Sequence, residues 1–151
     1  MKISRALAVS TMVVGFALGA SGCAATVSLQ PAELANDPNC AEVSVRLPDA
    51  IADQQRRTTD AQATAAYGDP TSVIVRCGMP EVKVSSLACV TTSDVDWLVD
   101  PVDAPKYRFI SFGRSPATEV IVDSNKVTGV STLDALANAI KSLPATANCS
   151  G

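Results

Sequence analysis

Val95-Asp96-Trp97-Leu98-Val99, then Tyr107-Arg108-Phe109-Ile110-Ser111-Phe112, then Thr118-Glu119-Val120-Ile121-Val122-Asp123 are the runs that decide the fold. Side chains alternate along a strand, so the first run puts Val95, Trp97 and Val99 on one face and Asp96 and Leu98 on the other. The second run is apolar on both faces, which suits a central strand covered on both sides. In the third, Val120 and Val122 point inward and Glu119 and Asp123 outward. Gly113-Arg114-Ser115-Pro116 is turn-forming and short, so the second and third runs form an antiparallel hairpin. Four of the chain's six aromatic residues (Trp97, Tyr107, Phe109, Phe112) lie in this window, which marks it as the centre of the core.

Downstream, Ser124-Asn125-Lys126 turns the chain and Gly129 punctuates it. Leu133, Leu136, Ala137, Ile140 and Leu143 then make one apolar stripe at helical spacing. Ser131 with Asp134 reads as a variant capping box at the start, and Pro144 as the stop. This helix is expected to lie across the sheet over Val120. Upstream, Cys89-Val90-Thr91-Thr92 pairs with Val95–Val99 across Ser93-Asp94. Asp100 to Lys106, with Pro101 and Pro105, is a loop. Ser72 to Cys77 is a strong strand that Gly78-Met79-Pro80 ends, and Glu81 to Leu87 is an edge segment. Ala61 to Tyr67 is Ala-rich and fits a helix. The turn chemistry of Tyr67-Gly68-Asp69-Pro70 favours instead a short strand paired to Val73–Cys77. Glu42 to Leu47 alternates cleanly and reads as a strand. Asp49 is a candidate cap for a short, mostly exposed helix from Ala50 to Arg57.

The N-terminus has the plan of a lipoprotein signal peptide, residues 1–22. Lys2 and Arg5 are followed by an apolar run from Ala6 to Leu18, too short to span a bilayer comfortably, then by Gly19-Ala20-Ser21-Gly22 and Cys23. Small residues ending in Gly-Cys resemble a bacterial lipobox, although Ala20 stands where Leu is usual. There the Cys23 thiol is acylated and becomes the new N-terminus. Each buried methylene contributes roughly 0.8 kcal/mol and stable anchoring takes two or more chains, which a triacyl cysteine supplies. The alternative is ordinary cleavage near Ala20 to Ala25. Residues 23–39 read as a lipidated tether with Pro31 and Pro38, and residues 40–151 as a single domain. Cleavage before Cys23 removes Lys2 and Arg5 and no acid, so the net charge moves from −3 to −5. That excludes a basic surface, and with it nucleic acid as an expected partner.

Cys40, Cys77, Cys89 and Cys149 remain, an even number that reads as two disulfides in an exported domain. Of the three pairings, Cys77–Cys89 with Cys40–Cys149 is favoured: the first clamps a local excursion between strands, and the second joins domain termini, which are often close. Zinc is excluded by spacing and by the absence of histidine.

Several motifs together resemble a known family. They are Arg56-Arg57, Thr64-Ala65-Ala66-Tyr67-Gly68-Asp69-Pro70, Val75-Arg76-Cys77-Gly78-Met79-Pro80, Val95-Asp96-Trp97, Tyr107-Arg108-Phe109 and Phe112-Gly113-Arg114. They are similar to the actinobacterial domain-of-unknown-function family numbered 3515, small predicted lipoproteins of the cell envelope, over most of Cys40 to Cys149. Tyr67 replaces the family's usual Trp. Ser93-Asp94 replaces its usual Asn-Gly, a weaker type I′ former. The resemblance implies an exported lipoprotein and no activity.

Recognisable catalytic chemistry is sparse. Without histidine there is no Ser-His-Asp or Cys-His arrangement, and neither an esterase elbow nor a glycine-rich phosphate loop is found. Asp94, Asp96, Asp100 and Asp103 cluster around Trp97. Asp94 and Asp96 are a candidate carboxylate pair for a glycosidase, weighed against calcium binding and against plain solvation. Trp97 reads as core, with an exposed binding face as the alternative. Arg56-Arg57 reads as a solvated helix end, with an anion or a partner's carboxylate as the alternative. The expected fold is α+β: a mainly antiparallel sheet of five to seven strands, one C-terminal helix packed on it, and two disulfides. The expected function is a non-enzymatic binding or accessory lipoprotein on the outer face of the cytoplasmic membrane, using no cofactor and touching an envelope protein or glycan. Arg56, Arg57, Asp94, Asp96 and Trp97 are its candidate surface. A carboxylate-dependent hydrolase of envelope glycans is one alternative. A small inhibitor of an exported enzyme, presenting a loop such as Asp100–Lys106, is another.

Overall fold

The computed structural model describes residues 25–149, so Cys23 and the segment before it lie outside the described residues. In chain order the elements are α1 (Pro38–Arg46), β1 (Ala50–Ile51), β2 (Gln54–Arg57), β3 (Thr64–Tyr67), β4 (Val73–Met79), β5 (Ala88–Thr92), β6 (Val95–Asp100), β7 (Lys106–Ser111), β8 (Ala117–Asp123) and α2 (Gly129–Ile140). The strands form one antiparallel sheet in the order β1-β2-β3-β4-β8-β7-β6-β5. The fold is α+β as expected, with eight strands rather than five to seven and a second helix.

Both helices pack on one face of the sheet. Tyr67, Val73, Val75, Val95, Trp97, Val120 and Val122 point into a core closed by Cys40 and Val43 of α1 and by Leu133, Leu136, Ile140 and Leu143. The α2 stripe is therefore buried where its spacing placed it. The register Tyr107↔Val122 and Phe109↔Val120 confirms the central hairpin, and Cys89↔Leu98 confirms that of β5 and β6. Both turn residues of the latter, Ser93 and Asp94, have positive φ (48° and 60°), the type I′ geometry.

On the opposite, outer face, Leu98, Ile110, Phe112 and Ala117 form a second small core with Met79, Val82, Leu87 and Ala147. The 81–87 segment, expected as an edge strand, is a loop over this core. The C-terminal segment crosses it as a strap. Gly113 (φ +59°) lets the strap pass, since a Cβ there would stand 2.0 Å from the Ala147 carbonyl. The register puts the Gly68–Ser72 turn and the 101–105 loop at one end of the sheet, and the Ser93-Asp94 and Gly113–Pro116 turns at the other.

Three expectations about helices and their caps are corrected. Residues 42–46 are helical: Asp37 caps α1 by accepting from the Asn39 N–H (2.8 Å), Pro38 starts it, and Cys40, Val43 and the C-cap residue Leu47 share the buried side at helical spacing. The 3.6-residue period wins over the alternation of Val43, Val45 and Leu47, and Val45 is exposed. Residues 50–57 are a hairpin rather than a helix. It turns at Ala52 (φ 52°), and the Arg56 N–H donates to the Asp49 carbonyl at 2.8 Å. The cap of α2 is Thr128, whose hydroxyl accepts from the Ser131 N–H.

The disulfides are Cys40–Cys77 and Cys89–Cys149. Cys77–Cys89 is impossible because β8, β7 and β6 separate β4 from β5 in the sheet. Cys77 instead faces inward beneath α1, and Cys89 faces outward where the strap ends.

Candidate functional site

On the outer face, beside the second small core, adjacent strands carry charge into the sheet. Glu119 on β8 is only 3% exposed. Its carboxylate lies between two guanidiniums: Arg76 Nε on β4 donates to Oε2 at 2.5 Å, and Arg108 Nε on β7 donates to Oε1 at 2.6 Å. Arg108 Nη1 also reaches Asp100 Oδ2 at 3.4 Å, extending the row onto β6. The register Arg76↔Glu119 and Asp100↔Arg108 aligns these side chains across the strands, where cross-strand neighbours meet. A buried carboxylate with charge-assisted bonds on both oxygens is satisfied, so the row is rigid. Arg76 and Arg108 are both partly exposed, at 26% and 37%.

Below the row, Ile74 and Ile121 are only half-buried. With Thr71, Asp103, Lys106 and Arg108 they line a cavity of about 290 Å³. The arrangement offers fixed N–H donors beside aliphatic surface, and so can grip an acceptor group while covering an apolar one.

The residues singled out from sequence fall elsewhere. Asp94 pairs with Lys141, the C-cap residue of α2 (3.1 Å), on the helix side. Asp96 accepts from Thr91 Oγ1 (2.5 Å) and from the Cys149 N–H (2.7 Å), pinning the strap to the outer face. The two carboxylates thus serve opposite faces and do not form a pair. Trp97 is fully buried and is removed from the candidate surface. Arg56 is exposed beside the cleft of Asp49 and Thr59. Arg57 is not a solvated helix end: it is 12% exposed and donates to the carbonyls of Ala25 (2.6 Å) and Gly68 (3.3 Å) and to Asp69 and Thr71.

Two acids are held below the usual carboxylate range. Asp134 accepts from the hydroxyls of Thr92 and Ser93. It therefore ties α2 to the β5–β6 turn, a different job from the capping role expected of it. Asp60 accepts from the Leu29 N–H and from the Ser28 side chain. Burial pushes the Tyr67 phenol up to about 12, with Arg56 opposing and Asp49 adding to the effect.

Sequence reasoning missed Glu119, Arg76 and Arg108 as a group. The available signal was three mid-strand charges of complementary sign, each inside an otherwise apolar run.

A family model described as a protein of unknown function, DUF3515, matches residues 3–148, nearly the whole chain. No curated protein and no solved structure matches it.

Proposed function

We propose, for a chain that belongs to the DUF3515 family, the role of a lipid-anchored binding module of the cell envelope. It is tethered through Cys23 and meets its partner on the outer face of the sheet. The partner is an envelope protein or glycan, and the module captures it without turning it over. The observation that carries this reading is the uncovered middle of that face, where Arg76 and Arg108 stand clamped on Glu119 beside Ile74 and Ile121. Preorganised donors next to apolar surface lose little entropy on binding. Two disulfides support an oxidising compartment.

The test is site-specific photo-crosslinking in intact cells. A crosslinker at Ile121 is expected to give a discrete adduct that Arg108→Ala weakens. A crosslinker at Val45, exposed on α1, is expected to give none. Equal labelling from both positions, or none from Ile121, overturns the assignment of this face.

A further inference from the structure

The stretch expected to be a loose tether is fastened to the fold almost to its start. Arg57 holds the Ala25 carbonyl at 2.6 Å. The Val27 N–H donates to the Thr58 carbonyl at 2.9 Å, and the Leu29 N–H to Asp60 at 2.9 Å. The Leu34 N–H donates to the Gly78 carbonyl at 2.7 Å, and Ala32 and Ala35 are buried. Gly78 (φ +108°) is what allows this, because a Cβ there would come within 2.5 Å of the Leu34–Ala35 peptide. From Ala25 back to Cys23 the chain spans at most about 7 Å.

We infer that the end of the sheet bearing the 68–72 turn and the 101–105 loop rests on the phospholipid surface, with the domain held against the bilayer in one orientation. The inference rests on the reading that Cys23 is acylated. Arg57 joins Ala25 to Gly68, Asp69 and Thr71, so the anchor emerges at that end. Four strand spacings away, roughly 19 Å, the loop at the same end carries Val102, a large apolar side chain 78% exposed. Two separated points, one covalent and one apolar, define a resting edge. Charge does not drive the contact, since Asp69, Asp103 and Asp123 offset Arg57, Lys106 and Lys126 there. The opposite turn, Ser93-Asp94, then stands about 20 Å further out, the length of the six-residue β6. The cavity beside Thr71 and Lys106 opens close to the headgroups, so the partner is met at the membrane surface.

The experiment uses the acylated, mature protein in vesicles of phosphatidylcholine and phosphatidylglycerol (7:3) containing lipids spin-labelled near the headgroup. A fluorophore is placed on Val102→Cys or Asp94→Cys; the native cysteines are acylated or bridged, so only the new thiol reacts. Quenching at position 102 is expected to exceed that at 94 at least threefold, independent of salt. About 20 Gly/Ser residues inserted after Ala24 give a leash of roughly 25 Å and are expected to abolish the difference. Equal quenching at 102 and 94, on protein whose mass shows the acyl chains, overturns this inference alone. A mass without acyl chains on Cys23 overturns the anchor and this inference with it.

Discussion

Replacing Glu119 by Gln removes one charge at nearly constant shape and leaves Arg76 and Arg108 facing a neutral amide. Each Nε–Oε contact is 2.5–2.6 Å long. At an effective dielectric near 20 an ion pair about 4 Å apart is worth about 4 kcal/mol before desolvation is counted. Breaking a buried pair by deleting one partner costs about 3–5 kcal/mol. The two arginines are partly exposed and can turn toward water, which puts the expectation at the lower end, about 3 kcal/mol. Trp97 is the only tryptophan and is fully buried, so its fluorescence reports urea unfolding of the intact, disulfide-bonded protein. The midpoint is expected to fall with the slope unchanged. The triple variant Arg76→Met, Glu119→Leu, Arg108→Met removes the clamped carboxylate and both guanidiniums together, leaves Asp100 the bond it accepts from the Val102 N–H, and is expected to lie within about 1 kcal/mol of the parent, or above it. It would also lose the Ile121 adduct. A loss below about 1 kcal/mol for Glu119→Gln, or an equal loss in the triple variant, refutes the ionic argument and leaves packing as the explanation.

Tyr67 sets an alkaline limit to stability. Its phenol donates to the Pro48 carbonyl at 3.0 Å, and its pKa is lifted from 10.0 to about 12. The group's contribution is full below pH 10 and is lost as pH rises through 12, about 2–3 kcal/mol in all; a tyrosinate absorbance step near pH 12 that Tyr67→Phe deletes is the check. Asp134 acts with the opposite sign. Its depressed pKa gives stability present above the ordinary carboxylate range and lost as pH falls through the folded value, so the difference between parent and Asp134→Asn is expected at pH 7 and shrinks as the carboxyl is protonated in acid. Gly78→Ala should loosen the N-terminal segment and cost more than about 1 kcal/mol, because φ +108° strains any L side chain and the Cβ meets the Leu34 carbonyl; new proteolysis between residues 25 and 37 would register it. Mild reductant is expected to open Cys89–Cys149 first, since Cys89 is exposed whereas Cys40 and Cys77 are buried, and timed alkylation with peptide mapping reads the order.

The hairpins and α2 were legible because their signals are local: alternation through Val120 and Val122, turn chemistry at Gly113–Pro116, a helical stripe from Leu133 to Leu143. The segment 38–57 was not. Val43, Val45 and Leu47 satisfy an alternating pattern by accident, and the cap at Asp37 that decides the helix fell inside what read as a tether. The disulfides and the outer-face row depend on strand order, and β4 lies beside β8, not β5. Arg76 and Glu119 stand 43 residues apart and meet only once that order is known. The same order explains motifs that first suggested a family. In Arg76-Cys77-Gly78, one residue clamps Glu119, the next bridges to α1, and the third admits the N-terminal segment. In Val95-Asp96-Trp97, the valine and tryptophan fill the core while Asp96 pins the strap. These motifs carry architecture.

The most direct measurement is the non-reducing intact mass of the protein extracted from the membrane fraction. A chain beginning at Cys23 is expected, heavier by its acyl groups and lighter by the four hydrogens lost to two disulfides. A chain of unmodified mass that retains residues 1–22, with all its thiols free, would contradict an anchored, doubly bridged module.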